Sequence, residues 1–420
     1  MISKTPSLGR FSLGIGDRFG MEAPAQLRAL QKALGQGVEV TPVWNKSNRE
    51  HTIIGTEPST VRAAADDAVK SAGWKLPHFV DADHIGLKTV DRFMAASDFF
   101  TIDVAEAIGT PAQDAAVDQW VDMIRPTLKK ASHPDLNGDL DITPEQLRTF
   151  GKKYSAAIKE AGAIYRYILK AKGATPFITE VSVDEANDPQ RPYELYLFLA
   201  GLAQEGVRVN TVAPKFTGQF LKGIDYVGNI AAFTKEFKND LAVIAVAVEQ
   251  FGLPADLKLS VHSGSDKFSL YPIMAQLVRR SGGGLHLKTA GTTWLEEVIG
   301  LARSPKGLDI AKRIYRGAFD RYDELQKPYA TVIDIDRAKL PSPATVDGWT
   351  SSEYVSALEH DQKNPKYSIH VRQLVHIAFR IAAEMGDEYR QALRDHRAVI
   401  EEGVAKNLYD RHVRPLFIER

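Results

Sequence analysis

The stretch LKLSVHSGSDKFSLYPIMAQLVRRSGGGLHLKTAGTTWLEEVIGLA, residues 257–302, contains one pattern twice. A short alternating run, Leu257–Ser263, precedes a segment of helical period, Leu270–Ser281, and a second run, Leu285–Thr289, precedes a second such segment, Trp294–Ala302. Strand and helix alternating in this way build a parallel sheet with helical crossovers. Toward the N-terminus the alternation continues, with strands predicted at Phe11–Gly16, Val38–Trp44, His78–Ile85, Asp98–Val104, Phe177–Val183 and Val207–Phe216. The intervening helices are Pro24–Leu34, Ser59–Ala72, the pair Ala112–Lys130 and Pro144–Lys172, Tyr193–Glu205 and Phe237–Phe251. Eight strands with crossovers predict an α/β fold, a TIM (β/α)8 barrel over residues 1–305 with a helical insertion at about 111–173. Beyond it helical period dominates, notably in Ser368–Met385 and Glu388–Tyr409, which predicts a C-terminal helical extension over 306–420 packed on the barrel. Pro341–Asp347, with two prolines, is expected to be a surface connection.

Composition narrows the function. The chain has 420 residues, 44% hydrophobic and 25% charged, the balance of an ordinary soluble enzyme rather than of a disordered, collagenous or coiled-coil protein. Lys plus Arg and Asp plus Glu are 53 each, so no basic excess is available for nucleic acid or an anionic membrane. The absence of cysteine removes thiol nucleophiles, disulfides and sulfur ligands, leaving any metal to His, Asp, Glu or water. The N-terminus lacks the apolar core of a signal peptide and no stretch reaches membrane-spanning length, so a cytoplasmic location is expected.

In a TIM barrel chemistry collects at the C-terminal ends of the strands. Here those ends carry Asp17 and Arg18, Asn45-Lys46-Ser47, Asp81 to His84, Asp103, Thr179-Glu180, Lys215, His262 to Ser265, and His286 to Thr289. Three of the eleven histidines, His84, His262 and His286, fall there, and with Glu180 they form a candidate set of metal ligands. Imidazole and carboxylate suit Zn, Mn, Co, Ni or Fe. Each histidine alone reads equally well as a hydrogen-bonded residue near a strand end. Asp83, beside His84, is placed to take or give a proton, and Asp81 alternates with it along the strand, facing the same side or held in an ion pair. Ser263, Gly264 and Ser265 follow His262 with small side chains that let backbone amides approach a ligand. Thr292 or Thr293 is expected to cap a helix whose N-terminus, near Lys288, attracts a carboxylate or phosphate.

Two other motifs are discounted. Asp135–Ile142 starts like an EF-hand loop, but Leu140 replaces the turn glycine and Gln146 the final glutamate. Gly14, Gly16 and Gly20 do not fit GxGxxG spacing, so no nicotinamide cofactor is expected.

The segments GIGDRFG, HFVDADHIGL, FITEVSVDE, VAPKFTGQFLKGIDYVG, LSVHSGSDKFSLYP and LHLKTAGTTWLEE together resemble the tagaturonate epimerase family, from Gly14 to Glu297 and into the helical tail. The resemblance implies a metal-dependent interconversion of D-tagaturonate and D-fructuronate, some relatives acting on the neutral ketohexoses tagatose and fructose. These substrates differ at C4 in ketose numbering, whose hydrogen no adjacent carbonyl acidifies, so enolisation cannot invert it. Retro-aldol cleavage between C3 and C4 and re-addition can, with one divalent ion polarising the ketone. Transient oxidation would need a hydride acceptor, for which no site is evident. The Asp83-His84 and His262-to-Ser265 elements are similar to those of metal-dependent class II aldolases, although a second aldolase-type histidine has no counterpart near Lys215. On this reading His84 and His262 are the leading ligands, Glu180 and His286 complete the shell, and Asp83 is the base for the C4 hydroxyl. Glu180 stands also among the catalytic candidates, and Lys215 stabilises the enediolate or sits in an ion pair. Arg18, Asp81, Ser263, Gly264, Lys288, Thr289 and Thr292 are candidates to hold substrate, Arg18 having a salt bridge as its other reading. A class II-like aldolase that releases its fragments and a non-catalytic sugar-acid binding protein are the rival readings. The partner is a small keto sugar or keto sugar acid, and a homo-oligomer is compatible with the sequence. The helical extension packs on the barrel, covers the mouth or makes a subunit interface, and in the second case His370 or Arg372 reaches the site.

Overall fold

The computed structural model describes residues 7–111, 113–129, 133–136 and 140–419. Eight parallel strands close in chain order: β1 (Phe11–Gly16), β2 (Val40–Ser47), β3 (Phe79–Ile85), β4 (Phe99–Asp103), β5 (Ile178–Ser182), β6 (Thr211–Ala213), β7 (Lys258–His262) and β8 (Leu285–Thr289). The strands are buried almost throughout, because interior side chains fill the barrel while the surrounding helices cover its outside. Among the described residues no helix is long and apolar enough to cross a membrane.

Two strands differ informatively from expectation. β6 is three residues instead of the Val207–Phe216 run, since Pro214 has no N–H to continue the ladder. β2 runs on to Ser47, its polar end paired in register with β3, Asn45 opposite Asp81 and Ser47 opposite Asp83. Ser47 then starts an unforeseen helix, Asn48–Ile54, in a capping box with Glu50. Of the expected insertion helices, Pro144–Lys172 forms with Thr143 and Gln146 as its capping box, while the first is the shorter Asp114–Ile124 followed by a tight turn at Arg125–Thr127. Residues 112 and 130 of that reading lie outside the described residues, as do 137–139 of the discounted calcium loop.

After the barrel, the helix Pro305–Asp320 leads into shorter helices and ends in a wide-turn segment, Asn407–Ile418. The expected helices Ser368–Met385 and Glu388–Tyr409 are each divided, into Ile369–Ile377 with Phe379–Glu384 and into Asp387–Asp395 with Arg397–Lys406. The expected connection Pro341–Asp347 contains a short helix, Pro343–Asp347, capped by Ser342.

A buried polar hub ties these helices to the loop after β7. Asp266 Oδ2 accepts from Arg372 Nη2 at 2.6 Å and meets His360 Nδ1 at 3.0 Å, while Oδ1 accepts from Thr292 Oγ1 at 3.0 Å and faces His412 Nε2 at 3.4 Å. Burial would raise the Asp266 carboxyl, but Arg372 and the histidine hydrogen bonds hold it well below the usual carboxylate range. Arg372 also donates to the carbonyls of Gly223 and Leu358, both at 2.5 Å. Removing one partner would strand a charge in the interior. Asp266→Ala is therefore expected to destabilise the protein by about 3–5 kcal/mol, read as a lower denaturation midpoint in urea. An unchanged midpoint would show that the tail is held by apolar packing alone.

Candidate active site

Lys288 is the centre of the barrel mouth. Period-two alternation along β8 turns it inward, where its Nζ lies 2.5 Å from Asp83 Oδ1, 2.7 Å from Asp81 Oδ2 and 3.5 Å from Glu180 Oε1, and donates to Thr101 Oγ1 at 2.8 Å. Burial alone would lower the ammonium, but Asp81, Asp83 and Glu180 outweigh it and keep it charged well above its ordinary range. The effect is reciprocal: burial would raise Asp83, and Lys288 followed by His84 holds it below the usual carboxylate value. Asp81, with burial dominant and Asp83 adding to it, is pushed up to about 6.

A flat strand would send Asp83 and His84 to opposite faces, yet both line the same cavity. The cause is local. Between Ala82 and Ile85, β3 advances three residues while β4 advances two, from Phe100 to Ile102, and His84 takes up the extra residue at φ 51°. It has the only positive φ of any non-glycine among the described residues, a conformation that costs on the order of 1–3 kcal/mol and is commonly found at functional sites. Asp103, at the end of β4, meets His84 Nδ1 at 2.9 Å, which leaves Nε2 for the cavity, 3.7 Å from Asp83 Oδ1.

The His84 and His262 rings stand edge to face with centroids 5.1 Å apart. His262 Nε2 meets Glu180 Oε1 at 2.8 Å, and its Nδ1, without a hydrogen bond, lies 3.2 Å from Asp184 Oδ2. Glu180 in turn accepts from Thr101 and Thr211. His84, Asp184 and His262 offer donor atoms within 4.8 Å of one another. Burial would lower both imidazoles, but their carboxylates prevail, lifting His262 to about 9 and His84 well above its ordinary value. Such a surplus of negative charge around two imidazoles suits a divalent cation.

The remaining candidates separate by depth. His286 lies one inward position below Lys288 on β8, its Nδ1 2.8 Å from Ser12 Oγ and its ring near Phe99, and burial takes it down to about 3; it does not line the cavity. Glu180 is fully buried behind His262, on the ring nitrogen opposite Asp184. Lys215 lines a neighbouring recess with Phe216 and Phe220 rather than the His84 cavity. Ser263 Oγ donates to the Lys288 carbonyl, Thr289 Oγ1 to the Gly14 carbonyl and Thr292 Oγ1 to Asp266, so these hydroxyls are used within the protein. Thr292 does not cap its helix, which starts after Gly291 with no side-chain cap. Arg18 and Gly264 reach the cavity, but Arg18 is bound to Glu50 at 2.9 Å and to the His376 carbonyl at 3.0 Å, over the Phe379 ring.

Sequence reading missed Asp184, Lys222 and His376. Asp184 had a signal, because Glu180, Ser182 and Asp184 alternate off the end of β5. Lys222 and His376 had none, lying in a long loop and in the C-terminal helices. Neither His370 nor Arg372 lines the cavity, whose volume is about 290 Å³.

A model of the tagaturonate epimerase (UxaE) family matches residues 3–414. A tagaturonate/fructuronate epimerase of Thermotoga maritima is 31% identical over 425 residues, spanning 96% of this chain and 80% of that protein. The native crystal structure of the fructuronate-tagaturonate epimerase of Cohnella laeviribosi superposes with a TM-score of 0.79 at 24% identity, covering 99% of this chain and 83% of that one. A probable tagatose 6-phosphate kinase of Sinorhizobium meliloti shares the fold more distantly, with a TM-score of 0.50 at 11% identity over 97% of this chain and 100% of that one. By the extent of the family match and the identity to the Thermotoga protein, this chain belongs to the tagaturonate epimerase family.

Proposed function

We propose that the protein interconverts D-tagaturonate and D-fructuronate by inverting ketose C4 through retro-aldol cleavage and re-addition, with a divalent ion held by His84, Asp184 and His262. Beyond family membership, one observation carries this reading: the converging donor triad opens on the same cavity as the ionised Asp83. The donor set fits such an ion, since the nitrogens left to the cavity, His84 Nε2 and His262 Nδ1, face only carboxylates, while Asp103 and Glu180 hold the other nitrogens of the two rings. A bound divalent ion supplies Lewis acidity toward the ketone oxygen.

Asp83 accepts the proton of the C4 hydroxyl. The C3–C4 bond breaks, its electron pair passing to C3 and the ketone to give an enediolate, while C4 becomes an aldehyde. The aldehyde turns its other face, C3 re-adds to C4, and Asp83 returns the proton, so that every atom is conserved. Lys288 keeps Asp83 ionised and, held as an ammonium, is no nucleophile toward the ketone, which argues against a lysine imine. Neutral ketohexoses would undergo the same steps, and an aldolase would differ only in releasing the fragments.

Chelator-treated protein should form tagaturonate from D-fructuronate only after a divalent metal is restored, as followed by chromatography, with D-tagatose tested in parallel. Three-carbon products without epimer would instead make it an aldolase, and no reaction with any metal would remove the catalytic reading. Asp83→Asn is expected to lower kcat about 10²- to 10⁴-fold while metal content, measured by elemental analysis, stays at the parent level. Glu180→Gln should weaken metal affinity about 10- to 100-fold in competition with a chelating dye. Undiminished affinity would take Glu180 out of the metal's support.

A further inference from the structure

The cavity lining includes three groups outside the proposed metal set and its base: Arg18, Lys222 and His376. Arg18 is bound to Glu50, but the other two are unengaged among the described residues. His376 is 1% exposed, lines the cavity and has no hydrogen bond at either ring nitrogen among the described residues. The half-buried Lys222 has no hydrogen-bond or ion-pair partner at its ammonium among the described residues, although Glu185 and Asp184 influence it at longer range. Buried polar groups left unpaired are costly, and at a cavity lining their partner is water or a ligand that displaces it.

The backbone is shaped to bring the two together. Gly291 N donates to the Gly264 carbonyl at 3.0 Å, joining the loops after β7 and β8. A side chain on Gly291 would overlap His376 Nε2, and a Cβ on Gly264, at φ +67°, would lie 3.1 Å from Lys222 Nζ. The two glycines thus clear the space in which the imidazole and the ammonium approach the cavity. Arg372 donates to the Gly223 carbonyl, next to Lys222, and Arg18 donates to the His376 carbonyl, so both groups are also fixed from behind. With Lys222, Arg18 and Arg372 nearby and burial foremost, the His376 imidazole is held well below its ordinary value and stays neutral, keeping one N–H to donate.

We propose that Lys222 and His376 form the subsite for the substrate carboxylate, at the end of the sugar remote from the ketone. This rests on the uronate reading above. It also answers a mechanical question that reading raises, because in ketose numbering the C6 carboxylate belongs to the C4–C6 aldehyde fragment. With that carboxylate anchored, a half turn about the C4–C5 bond presents the opposite aldehyde face to C3 without the fragment leaving. His376 and Lys222 are thereby determinants both of uronate preference and of recombination over release.

The test is calorimetric binding of D-fructuronate and of D-fructose to metal-loaded parent, Lys222→Met, His376→Leu and His376→Gln proteins. The parent should favour fructuronate, and the ratio of the two affinities should fall about 10- to 100-fold in Lys222→Met and His376→Leu, with part of it kept in His376→Gln, which retains a donor. Comparing the two sugars within each variant separates a lost carboxylate contact from misfolding, which weakens both alike. A parent without uronate preference, or variants with an unchanged ratio, would overturn the subsite. If the parent binds fructuronate with the expected ratios yet forms no epimer, the subsite stands and the catalytic reading fails.

Discussion

Lys288 gathers three carboxylates from two strands at the buried floor of the cavity, and the rest of the site is arranged around that contact. Without the ammonium, Asp81, Asp83 and Glu180 would repel one another and take up protons, because desolvation disfavours their charged forms. With it, Asp83 stays ionised toward the cavity and Glu180 stays ionised behind His262. One cation thus sets the charge state of Asp83 and of the carboxylate that orients the His262 imidazole. The carboxylates facing the His84–His262 pair from the other side, Asp103 and Asp184, lie beyond its direct contacts, and there the negative charge stays in surplus.

The cavity also depends on parts of the chain that are not barrel. Asp266, four residues after His262, is the acceptor on which Arg372, His360 and Thr292 converge, while Arg372 reaches on to the carbonyl beside Lys222. The Trp294 indole donates to the Val375 carbonyl at 2.8 Å, pinning the helix that carries His376 against the first turn after β8. The C-terminal helices therefore form one wall of the cavity.

Much of this was legible in the residues. The eight strands follow from alternating and continuous apolar runs, and Asp83, His84 and His262 from their places at strand ends. What periodicity does not carry is depth. His286 and Lys288 are both inward on β8, but two residues of rise put one among Ser12 and Phe99 and the other at the mouth. Nor does it carry hydroxyls used internally, as at Ser263, Thr289 and Thr292, or a guanidinium already taken, as at Arg18. Lys222 and His376 were out of reach because their position depends on tertiary packing of a loop and a distant helix, which no local spacing encodes.

The hub at Asp266 has a consequence for biosynthesis. Its partners His360 and Arg372 lie 94 and 106 residues further along the chain, so these contacts are made by helices that follow the last barrel strand in sequence. A nascent chain that has completed all eight strands still holds Asp266 without its guanidinium and the loop after His262 without its anchor. The lining that His376 supplies is thus completed only when the helices beyond the barrel dock, and not when the barrel closes.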